Sequence, residues 1–275
     1  MQALFKNLFK MDINFQQLCA ETVEIARSVG KYMLEERQNF DASKIENKGL
    51  HDLVSYVDKE SERKIISALE KLIPDSGFIA EEGTTTKKGD RFNWIIDPLD
   101  GTTNFIHGIP IFAVSIALMD NNELVVGVVY EVGHDECFYA WKNGGAYLNG
   151  KKISVSTSKD IVSSLLGTGF PYSTFEELDN FLKLLKWSMT EARGVRRLGS
   201  AATDLAYVAC GRFDAFFEYD LKAWDVAAGA LLVMEAGGEV SDFNAGNDYV
   251  FGGNILAANK NIVGILQEKI QGFMR

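Results

Sequence analysis

Two aspartates that stand three residues apart end an apolar run in the segment WIIDPLDGTTNF, residues 94–105. Asp97 and Asp100 flank a proline and a leucine, and Gly101 and two threonines follow them. Aspartate, proline and glycine are common turn residues, so DPLDG is compatible with a simple turn. The alternative is a cation site, because carboxylate oxygens are the ligands that Mg²⁺ and Mn²⁺ prefer.

Carboxylates also follow two other apolar segments. FIAEE ends in two glutamates, of which the first is Glu81, and FFEYDLKAWD carries Glu218 and Asp225. Strand ends and helix starts can direct such side chains into one cleft. Taken singly, each acid is more simply a helix cap or a surface residue. Gathered without basic partners, they would repel one another unless cations neutralised them.

A site with two cations indicates phosphate chemistry. One cation can make water acidic, the other can stabilise the leaving oxygen, and both offset charge on the phosphoryl group. Gly101 lets the backbone come close, and the amides of a helix that starts at Thr102 and Thr103 can bind phosphate oxygens. Pro98 would fix the turn, and the carbonyl of Leu99 would be a further ligand.

The elements that position these residues are helices mixed with short strands. Apolar spacing, capping residues and prolines predict helices over residues 15–36, 57–72, 175–189, 201–210 and 223–236. Segments rich in β-branched and aromatic residues predict strands at FIAE, FNWIID, FAVSIALMD, LVVGVVYE, CFYAW and FDAFFE. A short polar DNNE stretch predicts an antiparallel hairpin between the third of these strands and the fourth. The fold class is therefore a mixed, layered α+β protein.

Size and charge limit the classes of function. The chain has 275 residues, 47% of them hydrophobic, which suits a globular protein of one large domain or two closely packed ones. A net charge of −10 and a pI near 4.9 disfavour nucleic acid or an anionic membrane as the main partner. Three widely spaced cysteines predict neither a disulfide framework nor a zinc motif, so we expect a cytoplasmic protein.

The first eleven residues, MQALFKNLFKM, are basic and mildly apolar. They lack the long apolar region and the cleavage site of a secretory signal. We expect a poorly ordered N-terminal extension over residues 1–11, with Met11 as an alternative start. No apolar run approaches the roughly 18 to 20 residues that cross a bilayer.

Three segments in order, FIAEEG, WIIDPLDGTTNF and WDVAAGALLVMEAGG, resemble the signature segments of the inositol monophosphatase family. This family is part of the lithium-sensitive, magnesium-dependent sugar phosphatase superfamily, and the resemblance extends from about Phe15 to Gln267. It implies a layered αβαβα sandwich of the inositol monophosphatase and fructose-1,6-bisphosphatase type, with mixed, largely antiparallel sheets. The single phosphatase unit, 12–275, would have a metal-binding half at about 12–152 and a substrate half at 153–275. The resemblance also implies a homodimer.

The resemblance assigns the cation ligands. Two to three Mg²⁺ ions, with Mn²⁺ as a possible substitute, are implied for each active site. Glu81 would ligate the first metal and a weaker third one, and Asp97 would bridge the first and second. The Leu99 carbonyl would complete the first metal, and Asp100 and Asp225 would hold the second.

The resemblance also assigns catalytic residues. Asp58 with Thr102, and Glu81 through its metal, would activate a water that attacks phosphorus in line, without a covalent phosphoenzyme. For Asp58 the alternative is a helix cap. Lys48 would help to hold the weakest metal, although an exposed loop lysine is as good an interpretation.

Substrate contacts are implied at a further set of positions. The phosphate would bind the backbone amides of Gly101 and Thr102. The remaining substrate contacts would be Asp100, Ser200, Ala201, Glu218 and Asp225. His51, His107 and His134 show no ligand spacing and are expected to be surface or hydrogen-bonded loop histidines, with His107 near the cleft.

Three hypotheses for function follow. The first is a Mg²⁺-dependent phosphatase whose best substrate is myo-inositol 1-phosphate. The second is a phosphatase of the same fold for fructose 1,6-bisphosphate, NADP, histidinol phosphate or a 3′-phosphonucleotide. Glu218 favours the first, because an acid accepts hydroxyl hydrogen bonds but repels a second phosphate, and the short loop after Glu81 favours a small monophosphate. The third is a binding protein without activity, which the complete set of ligand acids disfavours.

Overall fold

The computed structural model describes residues 13–38, 46–47, 53–171 and 176–274. The predicted N-terminal extension, Lys48 and His51 lie outside the described residues. The helices, numbered along the described chain, are α1 (Phe15–Gln38), α2 (Tyr56–Leu72), α3 (Thr102–Ile106), α4 (Leu178–Glu191), α5 (Ala201–Ala209), α6 (Ala223–Glu235) and α7 (Val263–Phe273). In this part of the chain no helix combines the length and the apolar character that spanning a bilayer requires.

Two large sheets organise the molecule, and a two-stranded ribbon, β1 (Glu46–Asn47) with β2 (Leu53–Val54), lies outside them. The seven-stranded sheet runs in chain order: β3 (Gly77–Ala80), β4 (Phe92–Asp100), β5 (Ala113–Asp120), β6 (Glu123–Glu131), β7 (Glu136–Trp141), β8 (Gly145–Leu148) and β9 (Lys151–Ile153). Only its β3–β4 pair is parallel. The five-stranded sheet has the order β11 (Gly194–Arg196), β10 (Leu165–Thr168), β12 (Ala215–Tyr219), β14 (Asn254–Ala258) and β13 (Glu239–Ser241).

The central strands β4, β5 and β6 are buried on both faces, which explains their nearly continuous apolar sequences. Side chains alternate along each strand. Ile95 packs in one core with α5 and α6, whereas its neighbours Trp94 and Ile96 pack in a second core with α1 and α2. Helices therefore cover both faces of the large sheet.

The two faces of the five-stranded sheet also pack against different cores. Phe216 belongs to the core shared with α5 and α6, and its neighbour Phe217 belongs to a third core that contains α4 and α7. The layers thus follow the order α1 and α2, large sheet, α5 and α6, small sheet, α4 and α7. This five-layer arrangement confirms the predicted αβαβα sandwich.

The helices between the two sheets are rich in alanine, which lets them approach closely. A Cβ at Gly229 of α6 would lie 2.4 Å from the Cβ of Leu205 on α5. A Cβ at Gly127 of β6 would lie 2.8 Å from the carbonyl oxygen of Ala228. Small residues at these contacts fix the distance between α5, α6 and the large sheet, and both helices carry residues of the candidate site.

The predicted helices are confirmed within three residues at the described ends, and β5 pairs with β6 antiparallel as predicted. One prediction was wrong. We expected the strand of WIID to end at Asp97 in a turn, but β4 continues to Asp100. The pairing of β4 with β5 does not end at Asp97. It contains an irregularity between Asp97 and Asp100 and resumes at Asp100. Helix α7 and several short strands were not predicted from the sequence.

Candidate metal and phosphate site

The two aspartates of DPLD lie on the irregular stretch of β4. Asp97 pairs with Ser115 and Asp100 pairs with Ala113, so three steps along β4 match two steps along β5. In a regular strand, residues three apart point to opposite faces, and one extra residue changes this relation. Pro98 has no N–H to donate to the ladder, which favours the break here. The irregularity thereby allows both carboxylates to meet.

One carboxylate oxygen of each of these aspartates accepts hydrogen bonds from other groups of the protein. Asp97 Oδ1 accepts a hydrogen bond from the backbone N–H of Leu99 at 2.9 Å. Asp100 Oδ2 accepts hydrogen bonds from Ser200 Oγ and from the backbone N–H of Ala202, both at 2.7 Å. Asp100 therefore connects the large sheet to the start of α5, and the hydroxyl of the predicted substrate residue Ser200 donates a hydrogen bond to this acid.

A third aspartate reaches the same place from α6. Asp225 lies in the first turn of this helix, where its Oδ2 accepts from the backbone N–H of Lys222 at 2.7 Å. One carboxylate oxygen from each of Asp97, Asp100 and Asp225 lies within 4.8 Å of the others. Glu81 follows β3 and adds a fourth negative charge that acts on Asp97.

Burial and mutual repulsion make this group of acids hard to ionise together. Burial, followed by the negative charges of Glu81, Asp100 and Asp225, holds the pKa of Asp97 well above its usual value. Burial raises the pKa of Asp100 to about 6, and burial with the charge of Asp100 raises the pKa of Asp225 to about 7. A divalent cation between the carboxylates would remove the repulsion. The oxygen donors suit Mg²⁺ or Mn²⁺ rather than a metal that prefers sulfur.

Asp58 forms a helix cap and also contacts Thr102. Its Oδ2 accepts from the backbone N–H of Ser55 at 2.8 Å and from Ser55 Oγ at 2.6 Å, within the capping box of α2. Its Oδ1 accepts from Thr102 Oγ1 at 2.9 Å. The two interpretations of Asp58, as a cap and as a partner of Thr102, are therefore compatible. Burial raises the pKa of Asp58, which makes its carboxylate a better proton acceptor.

The hydroxyl of Thr102 has a choice of acceptors. Its Oγ1 lies 2.9 Å from Asp58 Oδ1 and 3.1 Å from the carbonyl oxygen of Leu99. A hydroxyl has one proton to donate, and its lone pairs can accept. Thr102 can thus donate to Asp58 while it accepts a hydrogen bond from a water molecule.

The turn into α3 presents backbone amides. Gly101 has φ +91°, and a Cβ at this position would lie 3.0 Å from the carbonyl oxygen of Ile111. Glycine is therefore the residue that fits this entry. Backbone N–H groups in the first turn of a helix have no partner within the helix, and they can bind phosphate oxygens. Thr102 and Thr103 supply such amides beside the carboxylates.

A cavity of about 440 Å³ lies in front of these groups. Its wall includes Glu218 on β12 and Asp204 on α5. Burial, followed by the negative charge of Asp225, raises the pKa of Glu218 to about 8, and the positive charge of Arg197 opposes the shift. The guanidinium group of Arg197 lies over the ring of Phe170, 5.2 Å from its centroid, and both residues line the cavity.

The structure brings most of the sequence-predicted residues together. The residues that line the cavity directly are Glu81, Asp100, Gly101, Thr102, Ser200, Ala201, Glu218 and Asp225. Asp58, Asp97 and Leu99 are buried and reach the site through the contacts given above. His107 is exposed at the end of α3 and is not among the lining residues, and His134 Nδ1 lies 2.7 Å from the carboxylate of Glu131.

Sequence reasoning missed three residues of the site. Asp204 lines the cavity from α5. A Cβ at Gly169 would lie 2.2 Å from both carboxylate oxygens of Glu218, so this glycine makes room for them. Asn104 Nδ2 donates to two backbone carbonyl oxygens at 2.7 and 2.8 Å and holds the α3 turn in place. Asp204 carried a usable signal, since it is an acid on the apolar helix AATDLAYVA.

Comparison with known proteins gives a consistent family. The family model described as the inositol monophosphatase family matches residues 14–272. A Pseudomonas aeruginosa protein named Nus factor SuhB is 43% identical over 251 residues, with 90% of this chain and 93% of that protein covered. A Mesorhizobium japonicum protein named inositol-1-monophosphatase is 43% identical over 241 residues, with 87% and 91% covered.

Solved structures show the same fold. The crystal structure of the extragenic suppressor protein suhB from Bartonella henselae matches with a TM-score of 0.86 and 39% identity, and covers 93% of this chain and 98% of its own. The structure of a Thermotoga maritima IMPase matches with a TM-score of 0.83 and 36% identity, and covers 91% and 95%.

Proposed function

The chain belongs to the inositol monophosphatase family, and from that premise we propose that it is a Mg²⁺-dependent phosphatase of small phosphorylated polyols or sugars. Its best substrate is myo-inositol 1-phosphate, which it hydrolyses to myo-inositol and phosphate. The observation that carries this proposal is the approach of Asp97, Asp100 and Asp225 within 4.8 Å, beside the amides at the start of α3.

The residues present fit the cation that the family implies. Burial raises the pKa values of Asp97, Asp100 and Asp225, and like charge adds to the effect at Asp97 and Asp225. The positive charge of Lys222 opposes the shift at Asp225 but leaves that pKa at about 7. Glu81, Asp97, Asp100 and Asp225, with the carbonyl oxygen of Leu99, would hold Mg²⁺. Bound Mg²⁺ supplies charge neutralisation at the phosphoryl group and makes water more acidic.

The remaining steps belong to side chains and amides of the chain. The N–H groups at Gly101 and Thr102 bind phosphate oxygens and orient the phosphorus atom. Thr102 Oγ1 accepts a hydrogen bond from the attacking water and donates its own proton to Asp58. Water is the nucleophile: its oxygen forms a bond to phosphorus while the bond from phosphorus to the alcohol oxygen breaks. The departing alcohol oxygen takes a proton from a solvent water. Asp58 is the proton acceptor, since burial raises its pKa above the usual value.

Glu218 supports a polyol monophosphate over the alternatives. Its carboxylate lies against Gly169 at the cavity wall, next to the charge of Asp225. An acid there accepts hydroxyl hydrogen bonds, whereas a second phosphate at the same place would be repelled. Fructose 1,6-bisphosphate, NADP, histidinol phosphate and 3′-phosphonucleotides remain the alternative substrates.

A substrate panel tests the proposal directly. Phosphate release is measured from myo-inositol 1-phosphate, fructose 1,6-bisphosphate, NADP, histidinol phosphate and a 3′-phosphonucleotide, with Mg²⁺ and with EDTA. We expect the highest kcat/KM on myo-inositol 1-phosphate and no turnover in EDTA. Preference for a bisphosphate or a nucleotide would favour the second hypothesis over myo-inositol 1-phosphate. Failure to release phosphate from any compound of the panel would contradict a phosphatase.

Removal of divalent cations should destabilise the protein more at about pH 8 than at about pH 6. Carboxyl pKa values near 4 in the unfolded chain are raised to about 6 for Asp100 and about 7 for Asp225 in the fold. Such groups stabilise the fold fully below the unfolded value, and that stability is lost as pH rises through the folded value. Mg²⁺ offsets the loss, and each kcal/mol corresponds to roughly 2–4 °C in Tm for a protein of this size.

Thermal unfolding with EDTA or with Mg²⁺ at these two pH values measures the effect. We expect Mg²⁺ to raise Tm by several degrees at the higher pH and by less at the lower one. Mg²⁺-free buffer with added NaCl at equal ionic strength is the control, since screening alone does not require the acid cluster. The same Tm with and without Mg²⁺ at about pH 8 would contradict a cation site.

The remaining predictions concern other partners, the location of the protein and lithium. The expectation that nucleic acid is not a partner is not confirmed, because relatives of this chain carry the name Nus factor SuhB. The homodimer, the lack of a membrane partner, the cytoplasmic location and lithium sensitivity stay predictions.

A further inference from the structure

Asp204 is a buried acid with an unsatisfied oxygen. It lies in the first turn of α5, and only 1% of its surface is exposed. Its Oδ1 has no hydrogen-bond partner within the described part of the chain. The same residue lines the cavity in front of the candidate metal site.

Two other buried aspartates, Asp214 and Asp242, have their hydrogen bonds supplied by the fold itself. Asp214 accepts hydrogen bonds from Ser156 Oγ and from the backbone N–H of Leu165. Asp242 accepts from three backbone N–H groups of its own loop. A buried carboxyl without such partners costs free energy, and this cost is offset when a ligand supplies the missing hydrogen bond. Asp204 differs from these two aspartates, and among the buried atoms without a partner in the described residues its Oδ1 belongs to a residue that lines the cavity.

The charges around Asp204 indicate which ligand group it meets. The nearby charges that act on it are those of Glu218, Asp100 and Arg197. Burial, followed by the negative charges of Glu218 and Asp100, raises the pKa of Asp204 well above its usual value. An anionic ligand group would increase this repulsion. A hydroxyl group fits, because it donates to a carboxylate and accepts from a protonated carboxyl.

Asp204 also stands apart from the cation ligands. The three carboxylates that approach within 4.8 Å are those of Asp97, Asp100 and Asp225. Asp204 shares the cavity wall instead with Glu218, the acid assigned above to the alcohol part of the substrate. The leaving alcohol would then face two acids rather than one.

We propose that Asp204 is a specificity-determining residue whose carboxyl group binds a hydroxyl of the leaving alcohol, next to the hydroxyl that binds Glu218. This proposal rests on the proposed phosphatase function. It narrows the substrate class to monophosphates of alcohols with at least two further hydroxyl groups. It also strengthens discrimination against a second phosphate wherever both acids are ionised, because two negative charges repel that group more than one does.

The test compares two phosphate esters in the variants Asp204→Asn and Asp204→Ala. Myo-inositol 1-phosphate offers hydroxyl groups to the wall, and ethyl phosphate offers none. We expect kcat/KM on myo-inositol 1-phosphate to fall about tenfold in Asp204→Asn and at least as much in Asp204→Ala, by loss of a hydrogen bond to a charged group. On ethyl phosphate it should change less than about twofold. Equal losses on both esters, or no loss on either, would overturn the proposal.

Stability and binding provide separate readouts. Asp204→Asn removes a buried charge that lacks a partner, so Tm should stay equal or rise. The matched control Asp214→Asn alters a buried acid with two donors, and it should lower Tm without changing the ratio of kcat/KM between the two esters. A calorimetric measurement of myo-inositol 1-phosphate binding tests this proposal independently of the phosphatase function. Weaker binding by Asp204→Asn supports the contact even if the wild-type protein hydrolyses neither ester, and equal binding by both proteins overturns it.

Discussion

Asp97→Asn is expected to lower turnover roughly a thousandfold or more while it stabilises the protein in the absence of divalent cations. The substitution keeps the shape of the side chain, and Oδ1 of asparagine can still accept from the backbone N–H of Leu99, as Asp97 does at 2.9 Å. What is lost is the charge at the centre of the acid cluster, where Glu81, Asp100 and Asp225 all act on Asp97. Catalysis depends on that charge to hold the cation, and the fold does not.

In the absence of divalent cations, Asp97→Asn should raise stability although it lowers turnover. Burial and three neighbouring negative charges raise the pKa of Asp97 well above its usual value. At about pH 8 without Mg²⁺, a neutral residue at this position relieves repulsion that the wild-type protein retains. Tm in EDTA should therefore rise, by roughly 2–4 °C for each kcal/mol relieved. In excess Mg²⁺ the wild-type protein should be the more stable of the two.

Asp242→Asn is the matched control for this experiment. Asp242 is also a buried aspartate, but it accepts hydrogen bonds from the backbone N–H groups of Asn244, Gly246 and Asp248 in its own loop. Its substitution should lower Tm with and without Mg²⁺ and leave kcat unchanged. Substantial Mg²⁺-dependent turnover by Asp97→Asn, or a fall of its Tm in EDTA, would contradict the assignment of Asp97 to the cation site.

Much of this site was accessible from the sequence because its chemistry is local. WIIDPLDGTTNF contains two of the proposed ligand acids, the glycine that permits a positive φ, and the threonine of the proposed catalytic pair. The apolar runs of β4, β5 and β6 are long enough to predict strands, and the alanine-rich segments before and after Glu218 predict the helices between the sheets. These signals depend on neighbours in the chain.

The parts that could not be predicted depend on distant contacts. The irregularity that brings Asp97 and Asp100 together is visible only in the pairing with β5. The role of Ser200 as a donor to Asp100 joins residues one hundred positions apart. Gly169 matters only because the carboxylate of Glu218 lies against its Cα. No local pattern encodes such contacts, since each requires the packing of two layers.

Thr102→Val should lower kcat about 10² to 10³-fold and leave the cation-dependent change in Tm intact. Valine keeps the size and the β-branching of threonine but removes the hydroxyl that lies 2.9 Å from Asp58 Oδ1. The carboxylates of Asp97, Asp100 and Asp225 are untouched, so Mg²⁺ should still raise Tm at about pH 8. The backbone amide of residue 102 also remains, so binding of inorganic phosphate should change little.

The conservative variant Thr102→Ser distinguishes a catalytic hydroxyl from a structural one. Serine restores an oxygen within reach of Asp58, and we expect it to recover most of kcat. The control Thr190→Val removes an exposed hydroxyl that is bonded to its own helix, and it should have no effect on kcat.

The hydrogen bond from Thr102 lowers the pKa of Asp58 against the effect of burial, so its loss in Thr102→Val should raise that pKa further. Because Asp58 accepts a proton only when ionised, the acidic limb of the profile of kcat against pH should move to higher pH in this variant. Wild-type kcat in Thr102→Val would show that the water is oriented by other groups, and a loss that serine does not restore would assign Thr102 to packing of the α3 turn.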